Sequence, residues 1–559
     1  MGKATDMSNV KGKSDIPPTE SETTGMAGNS PRGSQDIPTT SASPMEADRS
    51  GKAGRRTTDV HVAGKSDRSI VPEKPANKGG SLPLAESAEG RELTKENIDQ
   101  SLLHRTPSRK QDGKPPERRS RGLAGVRATA QRDPKCKFTN LLHHITPDFL
   151  QASFFALKKQ AAPGIDDETW QDYEKDHERR IMDLHGRIHR GAYRAKPSKR
   201  TYIPKPDGKM RPLGIAALED KIVQQAVRTI LECIYEEDFL GFSYGFRPRR
   251  SQHMALDALS VGITKRKVNW IIDADIRGFF DNISHEWLMK FLEQRIADPR
   301  MLRLLKKWLR AGVSEDGEWS PTKVGTPQGA VISPFLGNVF LHFVLDLWIN
   351  EWRKRQAKGE VIVVRYADDF VLGFREEADA RKCLTDLKER FAKFGLELHP
   401  DKTRLIEFGR YAQERRARRN EKAPETFDFL GFTHICGKTR KGDFALHRRT
   451  SRKKMQAKLD KVKEELRRKR HHDIAETGAW LHRVYIGWCR YYAVPGNYER
   501  LEQFRGALRR LWLRNLRRRS QRGRRLTWAK LQPYSDRWLP RPKIMHPYPS
   551  ERFTRDHPR

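Results

Sequence analysis

Cysteine is scarce in this chain and badly placed for chemistry. The five residues, Cys136, Cys233, Cys383, Cys436 and Cys489, are odd in number and far apart, with no CxxC pair. That excludes a zinc module or dithiol centre built on paired cysteines, and it fits small buried hydrophobes in a reducing compartment. Long apolar runs are missing as well. No stretch approaches the roughly 20 apolar residues of a spanning helix and no signal-like apolar segment opens the chain, so no membrane role is expected. Acidic residues are in deficit: 72 Asp+Glu face 110 Lys+Arg, a formal net charge of +38. An excess of that size speaks about partners rather than fold, and nucleic acid is the natural polyanion. The early acids Asp6, Asp15, Glu20 and Glu22 argue against a mitochondrial transit peptide, a class of segment poor in acids.

The 559 residues allow two or three folded domains, yet only 36% are hydrophobic, so part of the chain is expected to remain unfolded. Residues 1–135, rich in Ser, Thr, Pro, Gly and charge, are expected to be that disordered extension. Order should begin near Phe138, where Leu141, Leu142, Ile145, Phe149 and Phe154 start a helix-like pattern. Residues 136–260 read as helices leading to the proline-bounded segment Tyr202 to Lys209, whose Asp207-Gly208 suggests a hairpin. Residues 261–435 alternate short apolar strands with amphipathic helices, a mixed α+β domain. In 450–559 the strands stop, and Met455, Leu459, Val462 and Leu466, then Leu501, Phe504, Leu508 and Leu511, mark helices covered by arginines.

Chemistry is concentrated in Val361-Ile362-Val363-Val364-Arg365-Tyr366-Ala367-Asp368-Asp369-Phe370-Val371-Leu372, a β-hairpin pattern with a doubly acidic turn. Adjacent carboxylates repel, and beside buried strands they are costly unless a cation holds them. An ordinary solvated turn would use Asn-Gly or Asp-Gly. A second strand, Trp270 to Ile276, carries Asp273 and Asp275 inside another apolar run. If it lies beside the hairpin, one of its aspartates joins Asp368 and Asp369 to hold two Mg²⁺ ions, hard cations that prefer oxygen, for in-line phosphoryl transfer.

Tyr366-Ala367-Asp368-Asp369 resembles the Tyr-x-Asp-Asp box of reverse transcriptases, in the Ala form usual for group II intron enzymes. Ile203 to Ile215 and Ser243 to Pro248 are similar to the family's finger motifs. Gly325 to Pro334 resembles its fourth motif, with Ala330 where Gly is commoner; Leu398 to Thr403 and Phe429 to Phe432 resemble the last two. The resemblance implies a right-hand polymerase: fingers in 136–260, a palm in 261–435 and a helical thumb or maturase domain in 450–559. It aligns the family's Asp-Ile-x-Gly-x-Phe run with Asp275 to Phe280, making Asp275, Asp368 and Asp369 catalytic and Asp273 an extra acid. Metal ligands are implied at Asp275, Ile276, Asp368 and Asp369, for two Mg²⁺ or substituting Mn²⁺. Phe280 would lie beneath the incoming sugar and reject a 2′-hydroxyl; a plain core phenylalanine is the other reading. Lys205 and Arg211 would meet the triphosphate, Gln328 would line the nucleotide pocket, and Lys402 would lie near primer or metal, with scaffold roles as the alternative for the last two.

At the C-terminal end, Trp488 and Tyr492, four residues apart, are either helical core or a base-stacking surface. Arg517, Arg518, Arg519 and Arg522 are dense enough to bind RNA. The ending Leu539 to Pro549 resembles the maturase domain of intron-encoded proteins, and no cysteine-paired endonuclease module is expected to follow. The expected activity is RNA-directed DNA synthesis with assistance to group II intron splicing and mobility, in a bacterial-type cytoplasm at the nucleoid. The expected partners are an intron RNA template, a DNA primer or target and deoxynucleotides. A splicing-only maturase and an intron-free host reverse transcriptase for repair or defence are the alternatives.

Overall fold

Three strands with strict alternation build the centre of the molecule. In β3 (Trp270–Ala274), Ile272 and Ala274 enter one hydrophobic core and Ile271 the opposite one. In β6 (Val361–Tyr366), Val363 joins the first core while Val364 and Tyr366 join the second. In β7 (Asp369–Phe374), Phe370, Leu372 and Phe374 face one way and Val371 the other. A period of two with both faces apolar is the signature of a strand covered on both sides. With β8 (Arg404–Glu407) they form an antiparallel sheet in the order β6-β7-β3-β8. One face is covered by the helix Glu377–Ala392; the helix Gln252–Lys265 packs on β6 and β7 from the other core.

The computed structural model describes residues 117–204, 210–315, 317–322 and 324–556, all inside one structural unit, Ser81–Arg559. A second sheet, in the order β2-β1-β4-β5, pairs β1 (Ser198–Pro204) antiparallel with β2 (Met210–Ile215). It adds β4 (Val313–Glu315) parallel to β1, and β5 (Glu318–Ser320). The third sheet joins β9 (Phe427–Phe429), β10 (Phe432–Lys438) and β11 (Phe444–Thr450). From Arg452 onward the elements are helices, chiefly Arg452–Arg468, Ile474–Tyr492, Tyr498–Arg517 and Trp528–Trp538. Trp488 stacks on Phe504 at 4.3 Å and lies 4.2 Å from Tyr492, so this aromatic pair belongs to the helical core. Among the described residues no helix is long and apolar enough to cross a membrane.

The expected start of order near Phe138 is too late. Residues 1–116 lie outside the described residues, but Glu117–Arg132 is a helix that packs on the helix Leu218–Asp238 and buries Val126 and Ala130. Its apolar stripe is only Leu123, Val126 and Ala130, in a run dominated by arginine and glycine, so neither periodicity nor propensity marks it. The partner decides instead. Arg295, buried, donates from Nη1 to the carbonyls of Asp133 and Cys136 at 3.1 Å and from Nη2 to that of Ala130 at 3.4 Å. Its Nε pairs with Asp238 at 3.0 Å. One guanidinium therefore caps the helix end and answers a carboxylate whose pKa burial pushes up to about 6 despite that pairing.

Arg295→Met should destabilise the fold by roughly 3–5 kcal/mol at neutral pH, since it strands a buried charge and a helix end. Urea unfolding checks this; an unchanged midpoint would mean that the N-terminal helix is not fastened through Arg295.

Candidate active site

The hairpin β6–β7 closes through a two-residue turn, Ala367-Asp368, with Tyr366 opposite Asp369. Two-residue hairpin turns need a positive φ at their first central residue, a position normally given to glycine or asparagine. Here Ala367 takes it, at φ +56°. A left-handed conformation in an L-residue costs about 1–2 kcal/mol, so the surroundings must impose it. They do so at close range: a Cβ on Gly245 would fall 2.3 Å from Ala367 N and 2.9 Å from Tyr366 C, leaving no room for any other residue there. Behind the turn, Arg365 is fully buried against Asp346 and Asn338.

The register of β3 against β7 sets Ala274 opposite Phe370, which brings Asp275 to the same end of the sheet as the acidic turn. The backbone of Asp275 is held there, because its carbonyl accepts from His399 N at 2.8 Å while Ile276 bridges to Leu398. Ile276 sends its hydrocarbon side chain into the core, and its one oxygen is the main-chain carbonyl. Asp275 and Asp368 feel one another. Removal from water pushes the Asp368 carboxyl above the usual range and the Asp275 charge adds to this, whereas its own amide, Arg211 and Arg365 pull it down. Asp369, at the head of β7, is exposed.

A cation already stands at these acids: Lys402 Nζ lies 2.6 Å from Asp275 Oδ2. The donor set is hard oxygen, which fits Mg²⁺ or Mn²⁺ better than softer metals. Among the described residues, however, no three His, Cys, Asp or Glu side chains are gathered as a closed metal cluster. Asp273 has a different task. It pairs with Arg404 at 3.2 Å across β3 and β8, and burial raises its pKa against that pairing.

The remaining residues singled out in the sequence fall into two groups. Phe280 sits partly buried on the 3-10 turn Phe279–Asp281, and its carbonyl accepts from Thr326 N at 2.8 Å. Gly325, at φ +87°, presses on the carbonyls of Phe280 and Asp281 too closely for a Cβ. Three residues on, the Gln328 carbonyl accepts from Gly214 N at 2.6 Å, tying this loop to β2, the strand of Arg211. Phe280, Gln328 and Arg211 are thus linked through main-chain contacts beside the acids. Lys205 lies outside the described residues. Arg517, Arg518, Arg519 and Arg522 sit elsewhere, at the end of the helix Tyr498–Arg517 and just beyond. Arg517 and Arg518 line a surface hollow of about 440 Å³ with Arg470, Ser520, Gln521 and Arg524. Arg519 instead donates to the His472 carbonyl, and Arg522 is exposed. Sequence reasoning missed Arg470 and Arg524, and it passed over Arg365, an arginine inside an apolar strand.

Residues 203–434 match the family described as reverse transcriptase (RNA-dependent DNA polymerase). Protein YkfC of Escherichia coli (strain K12) is 34% identical over 314 residues, which are 49% of this chain and 81% of YkfC. The chain belongs to the reverse transcriptase family. Group II intron-encoded protein LtrA of Lactococcus lactis subsp. cremoris is 38% identical over 222 residues, 38% of this chain and 36% of LtrA. The putative COX1/OXI3 intron 1 protein of Saccharomyces cerevisiae is 30% identical over 261 residues, 38% of this chain and 31% of that protein. The chain thus spans most of YkfC but only 36% and 31% of these intron proteins. The matched segment implies the palm and fingers of an RNA-dependent DNA polymerase. A polymerase domain of this family implies dependence on a divalent metal.

Gly245→Ala should displace the acidic turn, because the new methyl meets main chain rather than a yielding side chain. We expect DNA synthesis to fall by roughly 100-fold, as an ångström of misplacement does. Normal synthesis by this variant would show that the turn tolerates the shift.

Proposed function

We propose that this reverse transcriptase joins deoxynucleotides at a centre formed by Asp275, Asp368 and Asp369, and that its C-terminal helical domain acts as a thumb and maturase surface on group II intron RNA. The observation that carries the first part is the electrostatic convergence of Asp275 with Asp368 at one end of the palm sheet. Two like charges at neighbouring strand ends have no structural need of one another; their approach makes sense where cations must be held, with Asp369 beside them at the head of β7.

Asp275, Asp368, Asp369 and the carbonyl of Ile276 would hold two Mg²⁺ ions or Mn²⁺. When bound, these ions neutralise charge on the attacking and leaving oxygens of the transferring phosphoryl group. The chain's own groups do the rest. Arg211, with Lys205, orients the triphosphate and stabilises its charge. Phe280 occupies the space that a ribose 2′-hydroxyl would need and so favours deoxynucleotides. Gln328 lines the nucleotide pocket. Lys402 holds Asp275 in place beside the primer end, answering its charge with an ammonium.

For the second part, support comes from the arginine-lined hollow in the C-terminal domain and from relatives whose names refer to introns. Arg517 and Arg518, with Arg519 and Arg522 nearby, would contact RNA phosphates, with the intron RNA as template and a DNA strand as primer or target. Association with the nucleoid follows from the same charge excess, +38 over the chain.

Asp368→Asn with Asp369→Asn keeps size and removes the charge that holds the metal, so complementary DNA synthesis should fall by roughly 1,000-fold or more while RNA binding and intron splicing persist. Undiminished synthesis would overturn the active-site assignment, and loss of splicing in that folded variant would overturn the separation of functions. Ala at Arg517, Arg518, Arg519 and Arg522 should impair splicing and template binding together and flatten the dependence of RNA affinity on salt. Phe280→Ala should raise ribonucleotide use relative to deoxynucleotide; an unchanged ratio in primer extension would return Phe280 to the core.

A further inference from the structure

The acidic turn is strained, and the group that restrains it lies one residue before Tyr366. Arg365 has a fully buried side chain. Its Nε donates to Asp346 Oδ1 at 2.7 Å and its Nη2 to Asp346 Oδ2 at 2.6 Å, a bidentate pair with a carboxylate that is also fully buried. The remaining nitrogen, Nη1, reaches Asn338 Oδ1 at 3.0 Å and the carbonyl of Ala367 at 2.9 Å. That carbonyl belongs to the residue with the left-handed backbone. It shares a peptide plane with the N–H of Asp368, the amide that favours the charged form of the Asp368 carboxylate.

The grip is anchored from two sides. Asp346 closes the π-helical turn His342–Asp346, the widened turn that carries the Asp346 carboxylate facing Arg365. Asn338 donates from Nδ2 to the Gly245 carbonyl at 2.6 Å, and Gly245 is the residue packed against Ala367 N. The main chain of Arg365 is clamped as well: its N–H donates to the Phe242 carbonyl at 2.9 Å, and its carbonyl accepts from Tyr244 N at 2.9 Å. The guanidinium contact with the Ala367 carbonyl passes this rigidity on to the turn, beside the packing of Gly245.

We propose that Arg365, held by Asp346 and Asn338, is a positioning residue that fixes the peptide plane between Ala367 and Asp368 and thereby aims the Asp368 carboxylate into the site. The inference rests on the reading of this turn as the centre of nucleotidyl transfer. Stability alone is a weak reason for such a pair, because a buried ion pair is often replaced by apolar groups of similar volume without loss. The contact with the Ala367 carbonyl is what apolar groups cannot supply.

The test uses the full chain, a DNA primer on an RNA template, and single-nucleotide extension in Mg²⁺, with thermal melting and template–primer affinity measured on every variant. Arg365→Lys keeps the charge facing Asp346 but cannot bond the carboxylate and the Ala367 carbonyl together. We expect kcat to fall roughly 10- to 100-fold while KM for the deoxynucleotide and template affinity stay within about two-fold. Arg365→Met combined with Asp346→Leu removes both buried charges, and its melting temperature should match or exceed that of the parent while kcat stays as low as in Arg365→Lys. Parental kcat in either folded variant would overturn the proposal, as would a parallel loss of kcat and template affinity. If the double variant does not fold, kcat of Arg365→Lys decides. Asp368→Asn runs alongside: should it retain parental activity, the catalytic reading of the turn fails, whereas an inactive Asp368→Asn beside a fully active Arg365→Lys sinks only the positioning role.

Discussion

Like charges brought together at the end of an apolar sheet are the constraint on which this molecule turns. Asp275 and Asp368 sit where the strands around them are hydrophobic on both faces, and the Asp275 charge adds to the burial that makes the Asp368 carboxyl harder to ionise. Such an arrangement survives only if cations answer it and if the backbone has no easier conformation to relax into. The first condition is met by Lys402, and by Arg211 and Arg365 whose charges reach Asp368. The second is met by packing: Gly245 against the turn, Arg365 beneath it, and the Leu398–His399 segment against Asp275. The strand β2 and the turn that follows β3 meet around that point, because Gly214 N bonds the Gln328 carbonyl and the Phe280 carbonyl holds Thr326 of the same loop.

Local patterns with a short period are legible in the sequence. The alternation in Trp270–Ala274 and Val361–Phe374 marks strands, and acids inside those runs are anomalous enough to demand a cation. The register that unites them was not readable. Nothing in the spacing of Asp273 and Asp275 says which faces the turn; only the pairing of Asp273 with Arg404 and of Ala274 with Phe370 separates them in the structure. The family resemblance points to Asp275 from a motif rather than from geometry.

What stayed hidden was decided by distant partners. The helix Glu117–Arg132 has too thin an apolar stripe to announce itself; it packs on Leu218–Asp238, and Arg295, far along the chain, bonds the carbonyls at its end. Arg365 resembles an intrusion in an apolar strand until Asp346 and Asn338 are brought beside it. Arg470 joins Arg517 and Arg518 only through the packing of two helices well apart in sequence. Trp488 shows the opposite error risk: an aromatic beside arginines suggests base stacking, yet Phe504 stacks on it from a neighbouring helix.

A divalent metal held between the end of β3 and the β6–β7 turn would mark its own position on the main chain. Replacing Mg²⁺ with Fe²⁺ and generating hydroxyl radicals with ascorbate and peroxide cuts the main chain next to wherever the metal sits, independently of DNA synthesis. The cleavage map should show two clusters of breaks, one around Asp275 and Ile276 and one around Ala367 to Asp369, both fading as excess Mg²⁺ displaces the iron. Breaks confined to other segments, or a pattern at these two sites that Mg²⁺ does not compete away, would contradict that placement of the metal.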